Sequence, residues 1–368
     1  MKNKMFDLSF YKNKRVLITG HTGFKGTWMC KVLLQAGAKV TGYALNPPTD
    51  PSLFDLSNVA KQMNSIQGDI RDLQHMQEVF KECQPEIVIH MAAQPLVRDS
   101  YKDPVYTYDV NVMGTVNVLE CVRTCESVKS FLNVTTDKVY RNKEREKGYR
   151  EEEELNGFDP YSNSKSCSEL VTSSYWNSFL KDRNVAVSTA RAGNVIGGGD
   201  FAQNRIVPDC VRSAEQTEPI IIRNPHSVRP YQHVLEPIMV YLMICEKQYQ
   251  DISVCGNYNV GPDESDCLET CSIADLFCEC WNRETGKKPE WYVKGDGGPH
   301  EAGYLRLDCT KLKESFGWKP VWKMQKTMEK IVQMEYVRIA GGDIAACMDA
   351  QITEFMKEAE SWEEKYNY

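Results

Sequence analysis

The stretch Arg15-Val16-Leu17-Ile18-Thr19-Gly20-His21-Thr22-Gly23-Phe24-Lys25-Gly26 decides the fold of this chain. A short run of apolar, partly β-branched residues leads directly into a glycine-rich turn, and a helical pattern follows over about 27–35. Glycines at such a junction let the backbone approach a pyrophosphate, which then lies on the free N–H groups of the helix. The stretch therefore predicts a dinucleotide-binding domain, with a purely structural glycine turn as the alternative.

Further strand patterns at 39–45, 87–94 and 130–136 alternate with helical patterns. Such alternation requires a parallel sheet covered on both faces, and right-handed crossovers make it doubly wound. We expect an α/β fold, a doubly wound parallel Rossmann sheet with a smaller, interleaved C-terminal α/β substrate lobe. The expected units are a dinucleotide-binding domain (1–190 and about 230–261), a nucleotide-sugar lobe (191–229 and 262–345) and a C-terminal helix (346–368).

Composition excludes several classes of protein. The 368 residues carry a net charge of −7, which argues against nucleic acid and membrane surfaces as partners. The densest acidic run, Glu151 to Glu154, is expected to be a solvated loop. Because 1–4 lack a signal-like apolar region and no stretch reaches transmembrane length, we expect a cytoplasmic protein. The 14 cysteines form no paired metal-binding motif, so we expect reduced packing residues and no metal.

Two polar clusters in the middle of the chain suggest chemistry. Tyr161 and Lys165 share a helix face, so the ammonium can lower the tyrosine pKa and make the phenolate a usable base. The strand 130–136 delivers Asp137 and Lys138 to the sheet edge where ligands bind in such folds. In isolation the first pair could be a solvated helix face and the second a solvated charge pair. Combined with the glycine turn, they predict redox chemistry on a hydroxyl group.

The Gly-x-x-Gly-x-x-Gly spacing resembles the extended short-chain dehydrogenase/reductase superfamily. Asp137-Lys138 is similar to the pair found in the CDP-glucose 4,6-dehydratase family, whereas dTDP-glucose dehydratases carry Asp-Glu there. Together with the glycine turn, these stretches extend the resemblance over roughly 90% of the chain: Pro47-Pro48-Thr49, Ala93-Gln94-Pro95-Leu96-Val97-Arg98, Arg191 to Asp200, Arg229 to Pro237, Pro299-His300-Glu301-Ala302, Leu307-Asp308-Cys309 and Gly317-Trp318-Lys319-Pro320. The family usually has Thr-Ser-Asp-Lys, so Thr136 keeps the expected hydroxyl.

The resemblance implies a lyase of deoxysugar biosynthesis that converts CDP-D-glucose to CDP-4-keto-6-deoxy-D-glucose. The sugar is oxidised at carbon 4, water is eliminated across carbons 5 and 6, and hydride returns to carbon 6. The implied catalytic residues are Thr136, Asp137, Lys138, Tyr161 and Lys165. Asp137 is the better candidate acid if burial keeps it protonated, and Lys138 is then either a base of lowered pKa or a stabiliser of the enolate.

The resemblance also implies residues for the cofactor and the substrate. The cofactor candidates are Gly20, Thr22, Gly23, Phe24, Lys25, Gly26, Asp69, Ile70, Ala92, Ala93, Gln94, Tyr161 and Lys165, with a helix cap as the alternative role of Asp69. The substrate candidates are Arg98, Asn194, Arg205, Arg229 and His300. NAD is the expected cofactor, tightly held and regenerated, although Asn46 after the second strand leaves NADP open. His233 is expected to be structural.

Helices over 106–125 and 161–180 are apolar enough for the four-helix dimer contact common in this family, so we expect a homodimer or a tetramer. Two other enzymes stay open, a nucleotide-sugar epimerase and a 4,6-dehydratase for another nucleotide. A remote alternative is a non-catalytic, NAD-sensing binding protein. Asp137-Lys138 argues against the epimerase, and the presence of Thr136, Tyr161 and Lys165 argues against the sensor.

Overall fold

The glycine-rich turn joins a buried strand to a helix in the computed structural model, which describes residues 5–295 and 303–366. The strand is β1 (Arg15–Thr19) and the helix is α1 (Phe24–Gln35). The helix begins at Phe24 rather than near residue 27, because Gly23 is its extended N-cap and Gly26 already lies in the first turn. The last glycine of the turn therefore belongs to the helix.

Twelve strands are present in the described residues. They are β1, β2 (Lys39–Ala44), β3 (Asn64–Gln67), β4 (Ile87–His90), β5 (Ser130–Thr136), β6 (Ala186–Ala192), β7 (Asn194–Ile196), β8 (Ile220–Ile222), β9 (Val228–His233), β10 (Asn257–Val260), β11 (Cys267–Glu269) and β12 (Trp291–Val293). Seven of them form a parallel sheet in the order β10-β6-β5-β4-β1-β2-β3. Two small sheets, β11-β9-β7 and β12-β8, lie in the C-terminal half.

Thirteen α-helices flank these sheets in the same described residues. They are α1, α2 (Leu53–Leu56), α3 (Leu73–Cys83), α4 (Val97–Lys102), α5 (Pro104–Tyr108), α6 (Gly114–Thr124), α7 (Pro160–Tyr175), α8 (Ile206–Gln216), α9 (Leu235–Gln250), α10 (Thr270–Thr285), α11 (Thr310–Phe316), α12 (Met324–Ile339) and α13 (Ile344–Tyr366). A π-helical turn, Asp109–Met113, joins α5 to α6, and a second one, Trp176–Leu180, extends α7.

The large sheet is covered on both faces. One apolar cluster includes Trp28 of α1 and Met239 of α9, and the other includes Val79 of α3 and Val118 of α6. Every residue of β4 and β5 is buried, as expected of central strands in a parallel sheet. The predicted α/β fold, with its doubly wound sheet and smaller C-terminal sheets, is confirmed.

The structure bears on two further predictions, one about the acidic run and one about His233. The acidic run is not wholly solvated, since Glu151 is buried and accepts the N–H of Asn259 at 2.8 Å. Burial accordingly raises the pKa of Glu151. His233 is buried between the rings of Trp28 and Trp322, which suits a structural residue.

The cysteines are all free, and more than half of them have low exposure. Among the described residues, none of the helices combines the length and the apolar character needed to span a bilayer. The C-terminal helix α13 begins at Ile344 and packs on α12 and α1, where Lys31 forms a 2.9 Å ion pair with Asp349. Helix α13 therefore packs against α1, the helix that follows the glycine-rich turn.

A buried carboxylate joins α9 to the segment before α12. Glu236 accepts the N–H groups of Val321 at 2.9 Å and Trp322 at 2.6 Å. Burial raises its pKa to about 8, against 4.5 without burial. Since the folded state holds this proton longer than the unfolded state, stability is fullest below the unfolded pKa and is lost as pH rises towards the folded pKa.

The Glu236→Gln variant keeps an acceptor for both N–H groups and cannot titrate. We therefore expect its free energy of unfolding to increase relative to that of wild type as pH rises from about 5 to about 8. Urea unfolding across this pH range measures the difference. The exposed Glu284→Gln is the control, and a Glu236→Gln difference that stays constant with pH would contradict the assignment.

Candidate active site

A cleft of about 570 Å³ opens at the carboxyl ends of β5 and β6. Parallel strands place their carboxyl ends at one edge, so loops far apart in sequence meet there. The predicted site residues that line this cleft are Phe24, Lys25, Arg98, Thr136, Lys138, Tyr161, Asn194, Arg205 and Arg229. Asp137 lies directly behind this lining and is bonded to Lys138. His300 lies outside the described residues.

Asp137 is fully buried at the end of β5 and has one occupied oxygen. Its Oδ1 accepts from the Thr136 hydroxyl at 3.0 Å and from Lys138 Nζ at 2.8 Å. Lys138 Nζ also donates to Asn194 Oδ1 at 3.2 Å, and its side chain is 29% exposed. Asp137 Oδ2 is buried without a hydrogen-bond partner. The pair is therefore a hydrogen-bonded acid and amine at the cleft, not a solvated surface pair.

Tyr161 lines the same cleft and lies in the first turn of α7. The helix starts at Pro160 after Asp159, whose carboxylate accepts the N–H of Ser162 as a cap. Tyr161 and Thr136 both line the cleft. The pKa of Tyr161 is raised to about 12, chiefly because burial disfavours the phenolate; the Thr136 hydroxyl and the charge of Arg205 act in the opposite direction.

The expectation that Lys165 lowers this tyrosine pKa is wrong for the protein alone. Lys165 is buried and donates to the Val134 carbonyl at 2.9 Å. Burial and the charge of Lys25 lower its own pKa to about 7, so it is an ammonium only in part near neutrality. Helical spacing puts the two residues on one face, but burial dominates the pKa of Tyr161, and Lys165 is not among the groups that shift it.

Two further cations, Lys25 and Arg205, lie near the Asp137–Lys138 pair. The pKa of Lys25 is lowered to about 8 by burial, with a further contribution from Arg205. Arg205 is held by Asp200 through a 2.9 Å ion pair, and that carboxylate also accepts the N–H of Ala202. Lysine and arginine side chains of this kind are the groups that bind a diphosphate in proteins.

The glycine turn meets the steric requirements of a dinucleotide. Gly20 has φ +80, and a Cβ there would lie 2.8 Å from the backbone of Ala92. A Cβ on Gly26 would lie 2.1 Å from the Gly20 carbonyl oxygen. Gly23 caps α1 without any side-chain bond, so no side chain of the cap competes for the N–H groups of the first turn. The residues present therefore fit a pyrophosphate, and Thr22 closes the turn by donating to Leu45 O at 2.9 Å.

The remaining cofactor candidates lie along the same sheet edge. Asp69 is bonded to Arg71 at 2.7 Å, which keeps its pKa below the usual range. It does not cap a helix, since Asp72 caps α3 by accepting the N–H of His75. Ile70 is buried. Ala92 donates its N–H to Thr19, and Ala93 follows it in the same half-buried loop.

Asn111 is a site residue that the sequence analysis missed. Its side chain accepts from the Gln94 N–H at 2.9 Å and donates to Gln94 O at 3.1 Å and to Ser164 Oγ at 2.9 Å. The residue lies in the π-helical turn and is fully buried. The signal in the sequence that could have identified Asn111 is a polar residue between apolar residues of a helical pattern. Asn111 thus ties the loop after β4 to α7.

Comparison with known proteins places this geometry in a family context. The family model described as GDP-mannose 4,6 dehydratase matches residues 17–331. A CDP-glucose 4,6-dehydratase of Salmonella typhimurium is 45% identical over 358 residues, covering 96% of this chain and 99% of the relative. A dTDP-glucose 4,6-dehydratase of Xanthomonas campestris is 27% identical over 336 residues, covering 86% and 91%.

Solved structures of enzymes with different activities have the same fold as this chain. A UDP-glucose 4-epimerase of Thermus thermophilus in complex with NAD has a TM-score of 0.75 at 25% identity, covering 88% of this chain and 99% of that one. A dTDP-glucose 4,6-dehydratase of Bacillus anthracis has a TM-score of 0.72 at 21% identity, covering 88% and 97%. Since an epimerase and a dehydratase match equally well, fold alone does not separate these reactions.

The close approach at Gly26 yields a direct test of the glycine turn. In Gly26→Ala the new methyl group must push the Gly20 carbonyl away, so we expect dinucleotide affinity to fall at least about tenfold. Calorimetric titration with NAD measures this. Gly295→Ala is the matched control, because a Cβ there meets nothing within 4 Å. Equal affinities in the two variants would contradict the assignment.

Proposed function

We propose that this chain, which belongs to the family described as GDP-mannose 4,6 dehydratase, converts CDP-glucose to CDP-4-keto-6-deoxyglucose with loss of water. The observation that carries the proposal is the Asp137–Lys138 pair at the end of β5, next to Thr136 and in the same cleft as Tyr161. An alcohol oxidation needs only Tyr161 and its neighbours. Elimination of water needs an acid and a base in addition, and this pair supplies both.

NAD is the proposed cofactor. The glycine turn fits a pyrophosphate, and the Thermus thermophilus epimerase, at 25% identity, was solved with NAD. The residues proposed to hold it are those of the turn, with Asp69, Ile70, Ala92, Ala93 and Gln94 along the sheet edge. The chemistry that NAD supplies when bound is acceptance of hydride from sugar carbon 4 and its later return to carbon 6.

Tyr161 is the proposed base for the hydroxyl at carbon 4. It takes the hydroxyl proton as hydride leaves that carbon, and Thr136 lines the same cleft. Because the pKa of Tyr161 is about 12 in the protein alone, Tyr161 must lose its proton to solvent before it can act as the base, and the cations Arg205 and Lys165 are proposed to stabilise the resulting phenolate.

Asp137 and Lys138 are proposed to carry out the elimination together. Transfer of one proton along their 2.8 Å bond turns the ion pair into a neutral acid and a neutral amine. Lys138 then removes the proton on carbon 5, made acidic by the adjacent ketone, while Asp137 protonates the departing hydroxyl on carbon 6. The pair ends as ammonium and carboxylate, as it began. The proton that Lys138 transfers resides on Asp137 Oδ1, so this oxygen delivers it to the departing hydroxyl.

The cytidine diphosphate is proposed to lie in the outer part of the cleft. Arg98, Arg205 and Arg229 offer guanidinium groups to the diphosphate, and Asn194 shares a bond with Lys138 near the sugar. Preference for cytidine is supported by the 45% identical relative.

A homodimer is proposed through the two long helices of residues 104–124 and 160–180. Exposed apolar side chains occur along both: Val105, Met113, Leu170 and Phe179. Such side chains on two adjacent helices suit a four-helix contact between two copies of this chain.

A panel of sugar nucleotides tests the function directly. The protein is incubated with NAD and separately with CDP-glucose, dTDP-glucose, UDP-glucose and GDP-mannose, and the absorbance that 4-keto-6-deoxy sugars develop in alkali is recorded. We expect a signal with CDP-glucose alone. A signal with a different sugar nucleotide would overturn the cytidine preference, and silence with all four would overturn the dehydratase.

Asp137→Asn separates elimination from oxidation. Because the amide cannot deliver the proton to the hydroxyl on carbon 6, we expect kcat for product formation to fall about 10²-fold or more. The oxidation at carbon 4 should persist, seen as absorbance of the reduced cofactor on adding CDP-glucose. Asp209→Asn, a cleft-lining acid distant in sequence from the pair, is the control. Loss of the reduced-cofactor signal together with product would contradict these roles.

The proposed dimer contact predicts a change of mass in solution. Leu170→Glu places a charge on the apolar helix face, so we expect monomers by light scattering at micromolar concentration. Ile339→Glu, at an exposed position at the end of α12, is the control and should leave the mass unchanged. A dimeric Leu170→Glu protein would contradict this contact.

A further inference from the structure

A buried ion pair lies directly behind the catalytic residues. Glu169, on α7, and Arg191, on β6, are about 2% and 1% exposed at their side chains. Arg191 Nε lies 2.8 Å and 2.9 Å from the two Glu169 oxygens, and Nη2 also bonds this carboxylate. Such a pair is costly to desolvate and adds little net stability in general, so its presence calls for a reason beyond packing.

The pair fixes three elements of the active site relative to one another. Glu169 follows Lys165 by one helical turn on α7. Its Oε1 accepts the hydroxyl of Thr135 at 2.5 Å, and Thr135 immediately precedes Thr136 on β5. Thr135 and Thr136 both line the cleft, so the bond from the Thr135 hydroxyl to Glu169 anchors the end of β5 at the cleft itself.

The same pair also reaches the cleft wall. Arg191 Nη1 donates to the Tyr140 hydroxyl and to Glu151 O, both at 2.8 Å. Tyr140 lines the cleft and donates to Asn259 Oδ1 at 2.6 Å. Glu151 accepts the Asn259 N–H. A continuous polar network therefore joins β5, α7, β6, β10 and the loop of residues 140–151.

Glu169 also contributes a negative charge near Lys165. The groups that act on Lys165 are Lys25 from α1, which disfavours the ammonium, and Glu169 from α7, which favours it. His90 of β4 lies close enough to feel this ammonium, and burial lowers its pKa to about 3, so it contributes no charge near neutrality. Glu169 therefore opposes the effect of Lys25 on the pKa of Lys165. Arg191 is bonded to the same Glu169 carboxylate.

We propose that Glu169 and Arg191 are positioning residues for the reaction: the pair holds the end of β5 against α7 and keeps a negative charge beside the Lys165 ammonium. This inference rests on the proposed function. It assigns a role to a pair that touches neither substrate nor cofactor. The Glu169 charge should therefore affect the pH profiles, whereas the hydrogen bond from Thr135 to Glu169 should affect kcat.

Glu169→Gln tests the charge. Removing it lowers the pKa of Lys165, so the alkaline limb of kcat should move down by about one pH unit. The same shift is expected in the pH dependence of NAD affinity, measured by calorimetry without substrate. The pH dependence of NAD affinity can be read even if CDP-glucose is not the substrate. Turnover of CDP-glucose by the wild-type protein tests the proposed function separately.

Two further variants keep the test decisive. Glu169→Gln/Arg191→Met removes both charges and guards against unfolding caused by an unpaired buried arginine. We expect it to fold and to retain part of the shift. Thr135→Val removes the tether but no charge, so kcat should fall several-fold with KM and both pH profiles unchanged. If the charge variants keep wild-type pH profiles and Thr135→Val keeps wild-type kcat, the pair is merely structural and the proposal is overturned.

Discussion

The rest of the structure depends on charge being buried at the carboxyl edge of one parallel sheet. Strand β5 is buried along its whole length, so whatever follows it emerges in a poorly solvated place. Asp137, Lys165, Glu169 and Arg191 are all nearly inaccessible there. Each must find a partner, and each does: Lys138, the Val134 carbonyl, and one another. The catalytic geometry is the arrangement that satisfies these groups together.

Local pattern was enough to predict the fold and the cleft residues that lie next to strand ends. β1 and β5 have the predicted bounds, because short apolar runs ending in polar residues leave little freedom in a central strand. The start of α1 was misplaced because Gly26 reads as turn, although Gly23 caps the helix three residues earlier. Propensity disfavours glycine in a helix, but here the tight approach to Gly20 excludes any side chain.

What could not be predicted depends on burial and on contacts distant in sequence. The Tyr161–Lys165 spacing correctly suggested a shared face, but the sign of the tyrosine pKa shift is set by desolvation. Glu151 seemed solvated within an acidic run, yet it folds back onto Asn259, 108 residues away. The Glu169–Arg191 pair spans α7 and β6, and neither residue shows in sequence that the other will neutralise it.

The central claim is that one site oxidises the sugar, removes water and returns the same hydride. CDP-glucose carrying deuterium at carbon 4 tests this most directly, with the product's label located by mass spectrometry and NMR. The account predicts deuterium at carbon 6, with solvent hydrogen at carbon 5 delivered after Lys138 has removed the original proton. Deuterium retained at carbon 4, as in an epimerase, or lost to solvent would contradict it.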